Sequence, residues 1–204
     1  MNILKTIFTK KRSRPRYRKN AIVEIKEILA EYSRKDISIV ECVSNTAPLT
    51  VELIFMYSSG NTDKSVYNSI LIMITNYFVM MYIEMYTGFY AVSRNHTCNM
   101  VSSMVDEVLK ETAKKQNGLN LDDLQKDIHK SRDFTRQMVE VYYRTGIEDC
   151  HRYVTSSIYW VLLAQNRDLS VERDWVEHIV RSIQAEKFLA GNNNDAEFNL
   201  ENTG

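Results

Sequence analysis

The chain is poor in residues that interrupt regular structure: its 204 residues include two prolines and six glycines. Few breakers leave room for long elements and argue against many short strands joined by turns. So few glycines also leave little material for a nucleotide cradle. No Gly-x-Ser-x-Gly, no phosphate-binding Gly-rich loop and no His-Glu-x-x-His occurs in the sequence. No catalytic residue is therefore assigned and the reading leans away from an enzyme, although residues that meet only in the folded chain remain an open route to chemistry. Cysteine is scarce as well: Cys42, Cys98 and Cys150 are scattered and odd in number. That pattern suits free thiols in a reducing, cytoplasmic setting better than a disulfide framework. A chain of this length can bury a core without disulfides or metal.

Charge is absent from the sum but not from the chain. Lys+Arg and Asp+Glu both number 26. Eight of the basic residues (Lys5, Lys10, Lys11, Arg12, Arg14, Arg16, Arg18 and Lys19) fall in the first nineteen positions, where there is no acid. The other 185 residues therefore hold 18 basic and 26 acidic side chains, a net of −8. A neutral total conceals a basic arm, residues 1–19, on an acidic body. Ile3, Leu4, Ile7 and Phe8 would line one side of a short helix ahead of the basic run. Pro15 and mutual repulsion argue against regular structure in the run itself.

Clustered Lys and Arg bind phosphate, on lipid headgroups or on nucleic acid. Stable surface attachment usually needs two signals, and an apolar strip beside a polybasic run supplies both. A nucleic-acid arm would not need the strip, and Tyr17 alone offers little base stacking. An organellar transit peptide shares the same amphipathic, Arg-rich character. The plain alternative is a solvated terminus with no partner.

Residues 20–190 read as one domain. Ile22, Ile25, Ile28, Leu29 and Tyr32 recur at helical spacing after Asn20, a candidate N-cap. Residues 37–57 are rich in β-branched side chains around Asn45-Thr46-Ala47-Pro48, so a small β-hairpin is expected there, with a short helix from Pro48 as its competitor. Val66 to Val92 carries one charge, Glu84, and is long and apolar enough to span a membrane. Its polar residues (Ser65, Asn68, Ser69, Asn76, Glu84, Thr87) nevertheless gather on one side, which favours a helix packed inside a bundle. Further helical patterns run from Met100 to Gln116, from Asn120 or Asp122 to Gly146 with a break near Ser131, from Glu148 to Gln165, and from Asp168 or Ser170 to Phe188. Residues 191–204 are polar and mildly acidic, and disorder is expected there. The fold expected is a mainly α, single-domain bundle of about five to six helices, with room for the hairpin.

Other constellations are weaker. His96 and Cys98 form His-x-Cys, and Glu148 and His151 form Glu-x-x-His with Cys150 between them. A di-iron bundle needs a second Glu-x-x-His, and none exists; a zinc site from His96, Cys98, Cys150 and His151 matches no known spacing. No metal and no cofactor is assigned. Phe78, Tyr82, Tyr86 and Tyr90 recur every four residues among Met73, Met80, Met81 and Met85. They suit a shape-adapting groove or, more simply, core packing. Glu84 reads as a buried functional carboxylate, or as the partner of Arg94, Arg136, Arg144 or Arg152.

The function expected is that of a non-enzymatic helical accessory protein. Its acidic body would bind a protein partner, and its basic segment would dock at the cytoplasmic face of an anionic membrane. A nucleic-acid-associated regulator using the same arm, and an integral membrane protein with one span near 68–90, are the competing readings. A small-molecule substrate is not expected.

Overall fold

The computed structural model describes residues 14–55, 63–87, 92–116, 121–165, 176–177 and 179–181. Its elements are α1 (Arg14–Ser33), α2 (Ile39–Phe55), α3 (Lys64–Thr87), α4 (Arg94–Lys115), α5 (Leu121–Thr145) and α6 (Ile147–Gln165), with further helical residues at 176–177 and 179–181. The protein is mainly helical, and no strand occurs among the described residues.

The bundle is organised around α3, which packs against α2, α4, α5 and α6. Asp63 starts it: its carboxylate accepts the Ser65 amide at 3.2 Å and its carbonyl accepts the amides of Val66 and Tyr67. Ile70, Leu71, Ile74, Tyr77, Val79 and Met80 are fully enclosed. At about 1.5–3 kcal/mol for each large apolar side chain removed from water, they are a main source of stability. The 21 residues Lys64–Glu84 are long and apolar enough to cross a membrane, and 89% of the apolar window lies buried inside the bundle, as in the core helix of a soluble protein. Part of the polar side of α3 is enclosed too: Asn68 and Asn76 are buried, whereas Ser65 is exposed and Ser69 and Glu84 are half-buried.

The hairpin expected at residues 37–57 is replaced by α2, a continuous helix with Pro48 in its interior. Ser38 caps it, accepting the Glu41 amide at 3.2 Å on its hydroxyl while its carbonyl takes the Cys42 amide. Ser38-Ile39-Val40-Glu41 fits the Ser-x-x-Glu start signature, a signal the β-branched composition masks. Thr46 and Thr50 donate their hydroxyls to the carbonyls of Cys42 and Thr46, at 2.9 and 2.8 Å, so neither is a polar liability in the core. An interior proline costs about 3 kcal/mol or more. Burial of Cys42, Val43, Ala47, Val51 and Ile54 on the same helix offsets it.

Other boundaries shift for local reasons. α1 begins at Arg14 rather than Asn20, because proline is tolerated in a first helical turn. It ends in a left-handed residue that is not glycine: Lys35 has φ 63°, its amide bonds to the Tyr32 carbonyl, and the Asp36 amide bonds to the Glu31 carbonyl. That is the double bond pattern of a Schellman cap. α5 runs unbroken through Ser131, where a break was expected. It gives way to α6 at Gly146, whose φ of 88° lets the chain turn within one residue. Of the last predicted helix, Val176, Ile179 and Val180 are described and buried, while Trp175, Ile183, Phe188 and the tail 191–204 lie outside the described residues.

Candidate functional site

The basic arm straddles the limit of what is described. Ile3, Leu4, Ile7, Phe8, Lys5, Lys10, Lys11 and Arg12 lie outside the described residues. Arg14, Arg16, Arg18 and Lys19 lie on the helical backbone at the start of α1, so half of the basic cluster continues an ordered element instead of preceding it. α1 is anchored by Ala21, Ile25 and Leu29, buried at four-residue spacing against α2, with Glu24, Lys26, Glu27 and Glu31 exposed. Tyr32 meets Tyr82 of α3 edge to face, with ring centroids 5.0 Å apart. The apolar face of α1 thus seats the helix on α2, with the basic turns at its N-terminal end.

Inside the bundle, a polar seam follows α3. Asn76 donates to the Ile72 carbonyl at 2.9 Å and to Ser131 Oγ at 3.0 Å, and it accepts the Thr135 hydroxyl. All three side chains are buried. One residue on, the Tyr77 hydroxyl lies 3.1 Å from His151 Nδ1, with the rings edge to face. Two turns further, Tyr142 of α5 donates to Glu84 at 2.9 Å. In a low-dielectric interior such pairing removes the penalty of burying polar groups.

This seam is built for packing rather than proton transfer. Burial pushes the Tyr77 phenol far up, with Cys150, Glu148 and Glu84 adding to the shift. Burial, then the charge of Glu84, holds the Cys150 thiol far up as well. Burial lowers the His151 imidazole, reinforced by Arg181. All three groups are thus neutral near pH 7, and a nucleophile needs the opposite shift.

The remaining candidates disperse. Glu84 takes its hydrogen bond from a tyrosine, while the four arginines offered by the sequence go elsewhere: Arg94 and Arg144 to Glu140, Arg136 to Asp133, Arg152 to Asp149. Glu148 and His151 do not share an environment. Glu148 is exposed and 3.5 Å from Arg181, whereas His151 is 1% exposed. His96 is exposed and Cys98 half-buried on α4, and among the described residues no three His, Cys, Asp or Glu side chains converge as a metal site would require. Phe78, Tyr82, Met80 and Met81 are core residues, and the side chains of Tyr86, Tyr90 and Met85 lie outside the description. Sequence reasoning passed over one surface residue, Trp160 on α6, which is 67% exposed. From Tyr153 to Gln165 that helix has no charged side chain, a signal visible in the sequence.

No protein-family model, no curated protein and no solved structure matches this chain.

Proposed function

We propose that this chain is a non-enzymatic helical accessory protein that docks on an anionic, cytoplasmic membrane face through its basic N-terminal segment and holds a protein partner with its acidic body. One observation carries the reading: eight basic and no acidic residues in the first nineteen, against −8 in the remainder. Each Lys or Arg near an anionic bilayer is worth about 1 kcal/mol, so the cluster suffices for attachment even after heavy screening. The strip Ile3, Leu4, Ile7 and Phe8 supplies the second, apolar signal. The −8 body would be repelled by the same surface, which leaves the terminus as the contact and the body for a protein.

Co-sedimentation of the full chain with phosphatidylserine-containing and with neutral vesicles tests this. Binding should require the anionic lipid, fall with salt, and be lost when Lys10, Lys11, Arg12 and Arg14 are reversed to Glu. Equal binding before and after reversal ends the proposal. A salt-sensitive shift with DNA or RNA and no vesicle binding would assign the arm to nucleic acid. Resistance to alkaline carbonate extraction would assign the Lys64–Glu84 helix to the membrane.

A further inference from the structure

The His151 ring is buried where α6 packs on α3, and it is only half satisfied. Its Nδ1 faces the Tyr77 hydroxyl at 3.1 Å, and the two rings meet edge to face with centroids 5.7 Å apart. Its Nε2 is buried and finds no hydrogen-bond partner among the described residues. Whichever tautomer is present, one ring nitrogen is unpaired in an enclosed setting. A proton added to the ring would turn Nε2 into a charged donor with nothing to receive it. The neighbouring elements do little to compensate. α3 presents Tyr77, a neutral phenol, while Glu84 of α3 takes its hydrogen bond from Tyr142 and acts on Tyr77 and Cys150. From α5, Phe134 stacks on Tyr153 and Gln137 accepts the Tyr153 hydroxyl, contacts that carry no charge. Burial is the leading influence on the ring and opposes charging it; Arg181 and Arg152 add to that, and Glu177 and Glu148 act against it.

The contact couples the ring directly to the packing of two helices. Tyr77 is fully enclosed on the central helix, and the adjacent Asn76 is bonded to Ser131 and Thr135 of α5, so the α3 side of the contact is fixed. The ring belongs to α6. Solvating a charged His151 therefore means moving α6 away from α3. The same face of α6 carries Val154, Ile158 and Leu162, all buried, so parting the two helices uncovers apolar surface as well. A helix of 19 residues deprived of its packing is marginal in water, and its amides then exchange.

We propose that the His151–Tyr77 contact is an acid-sensitive joint: proton uptake by the imidazole parts α6 from α3. The closed joint holds the ring neutral. In the parted state water solvates the imidazolium and restores its ordinary affinity for a proton, with a midpoint near ~6.5. The closed state therefore has its full advantage above that midpoint and loses it as pH falls toward the depressed value of the closed form. Between the two values, the one proton taken up on parting raises the opening constant by up to ~10-fold per pH unit. The joint lies in the packed core and is independent of the basic arm.

Hydrogen–deuterium exchange of the full chain, corrected for intrinsic rates, reads this directly. Between pH ~7.5 and ~5.5, protection of the α6 amides at 154–162 should fall by up to ~10-fold per unit below ~6.5. The centre of α3, still packed on α2, α4 and α5, should stay protected. His151→Phe, which keeps a ring against Tyr77, should abolish the response. His96→Gln, at an exposed histidine of α4, should retain it. In the wild-type protein the His151 ring followed by NMR should titrate below ~6.5, a readout that keeps the test decisive if His151→Phe fails to fold. Flat protection of α6 in the wild type overturns the joint, as does an acid response that survives His151→Phe or vanishes with His96→Gln. Simultaneous loss of protection at α3, or a His151 titration at or above ~6.5, would do the same.

Discussion

The Tyr142 hydroxyl donates to Glu84 at 2.9 Å, so the one carboxylate of the apolar central segment is held across the α3–α5 interface by a neutral donor. A hydrogen bond to a charged acceptor is worth about 1.5–3 kcal/mol, less where water reaches it, and Glu84 is only partly buried. Tyr142→Phe should therefore destabilise the fold by about 1 kcal/mol. Urea midpoints at neutral pH measure it, and an unchanged midpoint would mean that water replaces the phenol at no cost.

The Asn76 pairing across the same interface is more demanding, because it is fully enclosed. Asn76→Leu alone strands the Ser131 hydroxyl, while the Thr135 hydroxyl keeps the Ser131 carbonyl at 2.8 Å, and should cost about 1–3 kcal/mol. Adding Ser131→Ala and Thr135→Val removes the hydroxyls left behind and should recover most of that loss. Chemical denaturation of the single and triple variants checks this. A triple variant weaker than the single one would show that the pairing is more than mutual satisfaction.

Lys35 occupies a left-handed conformation, at φ 63°, that favours glycine, and its side chain is exposed. Lys35→Gly should raise stability by about 0.5–1 kcal/mol, the relief of that conformation less the added freedom of the unfolded chain. A calorimetric Tm at or below the wild type would contradict the Schellman geometry at the end of α1.

The three thiols should differ sharply in reactivity. Cys42 and Cys150 are fully buried, while Cys98 is half-buried. Burial raises the Cys98 thiol too, with Glu140 adding to it and Arg136 opposing. A raised thiol is less ionised at any given pH, so labelling of the folded protein at pH ~8 should be slow throughout and reach Cys98 first. Mass spectrometry after alkylation identifies the order. Cys150 labelled as fast as Cys98 would mean that α6 opens far more readily than its packing implies.

Helix existence was legible wherever apolar residues kept a three- and four-residue rhythm, as at Ile25 and Leu29 or at Val101, Val105, Val108 and Leu109, all of which are buried. It failed at α2, where Val, Ile and Thr carry a strand preference that tertiary packing overrides and where Pro48, read as the start of a competing short helix, lies in the interior of a longer one. The partners of Glu84 and Asn76 were not legible, because they come from residues 58 and 55 positions away. Trp160 was legible in principle, as an aromatic in a charge-free run, but one sequence does not say which face of α6 meets solvent. The chemistry of the basic arm rests on composition, and its first thirteen residues lie outside the described structure.

Enclosure of α3 on four sides has a consequence for uniqueness. An amphipathic helix is keyed by its polar stripe: rolling it about its axis would expose apolar surface. α3 has little such stripe over its central turns, since Asn68, Thr75 and Asn76 are buried along with its apolar residues while Ser65 is exposed and Ser69 and Glu84 are half-buried. Many roll angles would bury nearly the same area, and hydrophobicity alone would leave the central rod free to settle at several of them. The Asn76–Ser131, Tyr77–His151 and Glu84–Tyr142 pairs work like the wards of a key, because any other rotation strands all of them at once. Replacing the polar seam with well-fitting leucines would then give a protein about as stable but with a less singular core, visible as broadened methyl resonances before any loss in melting temperature.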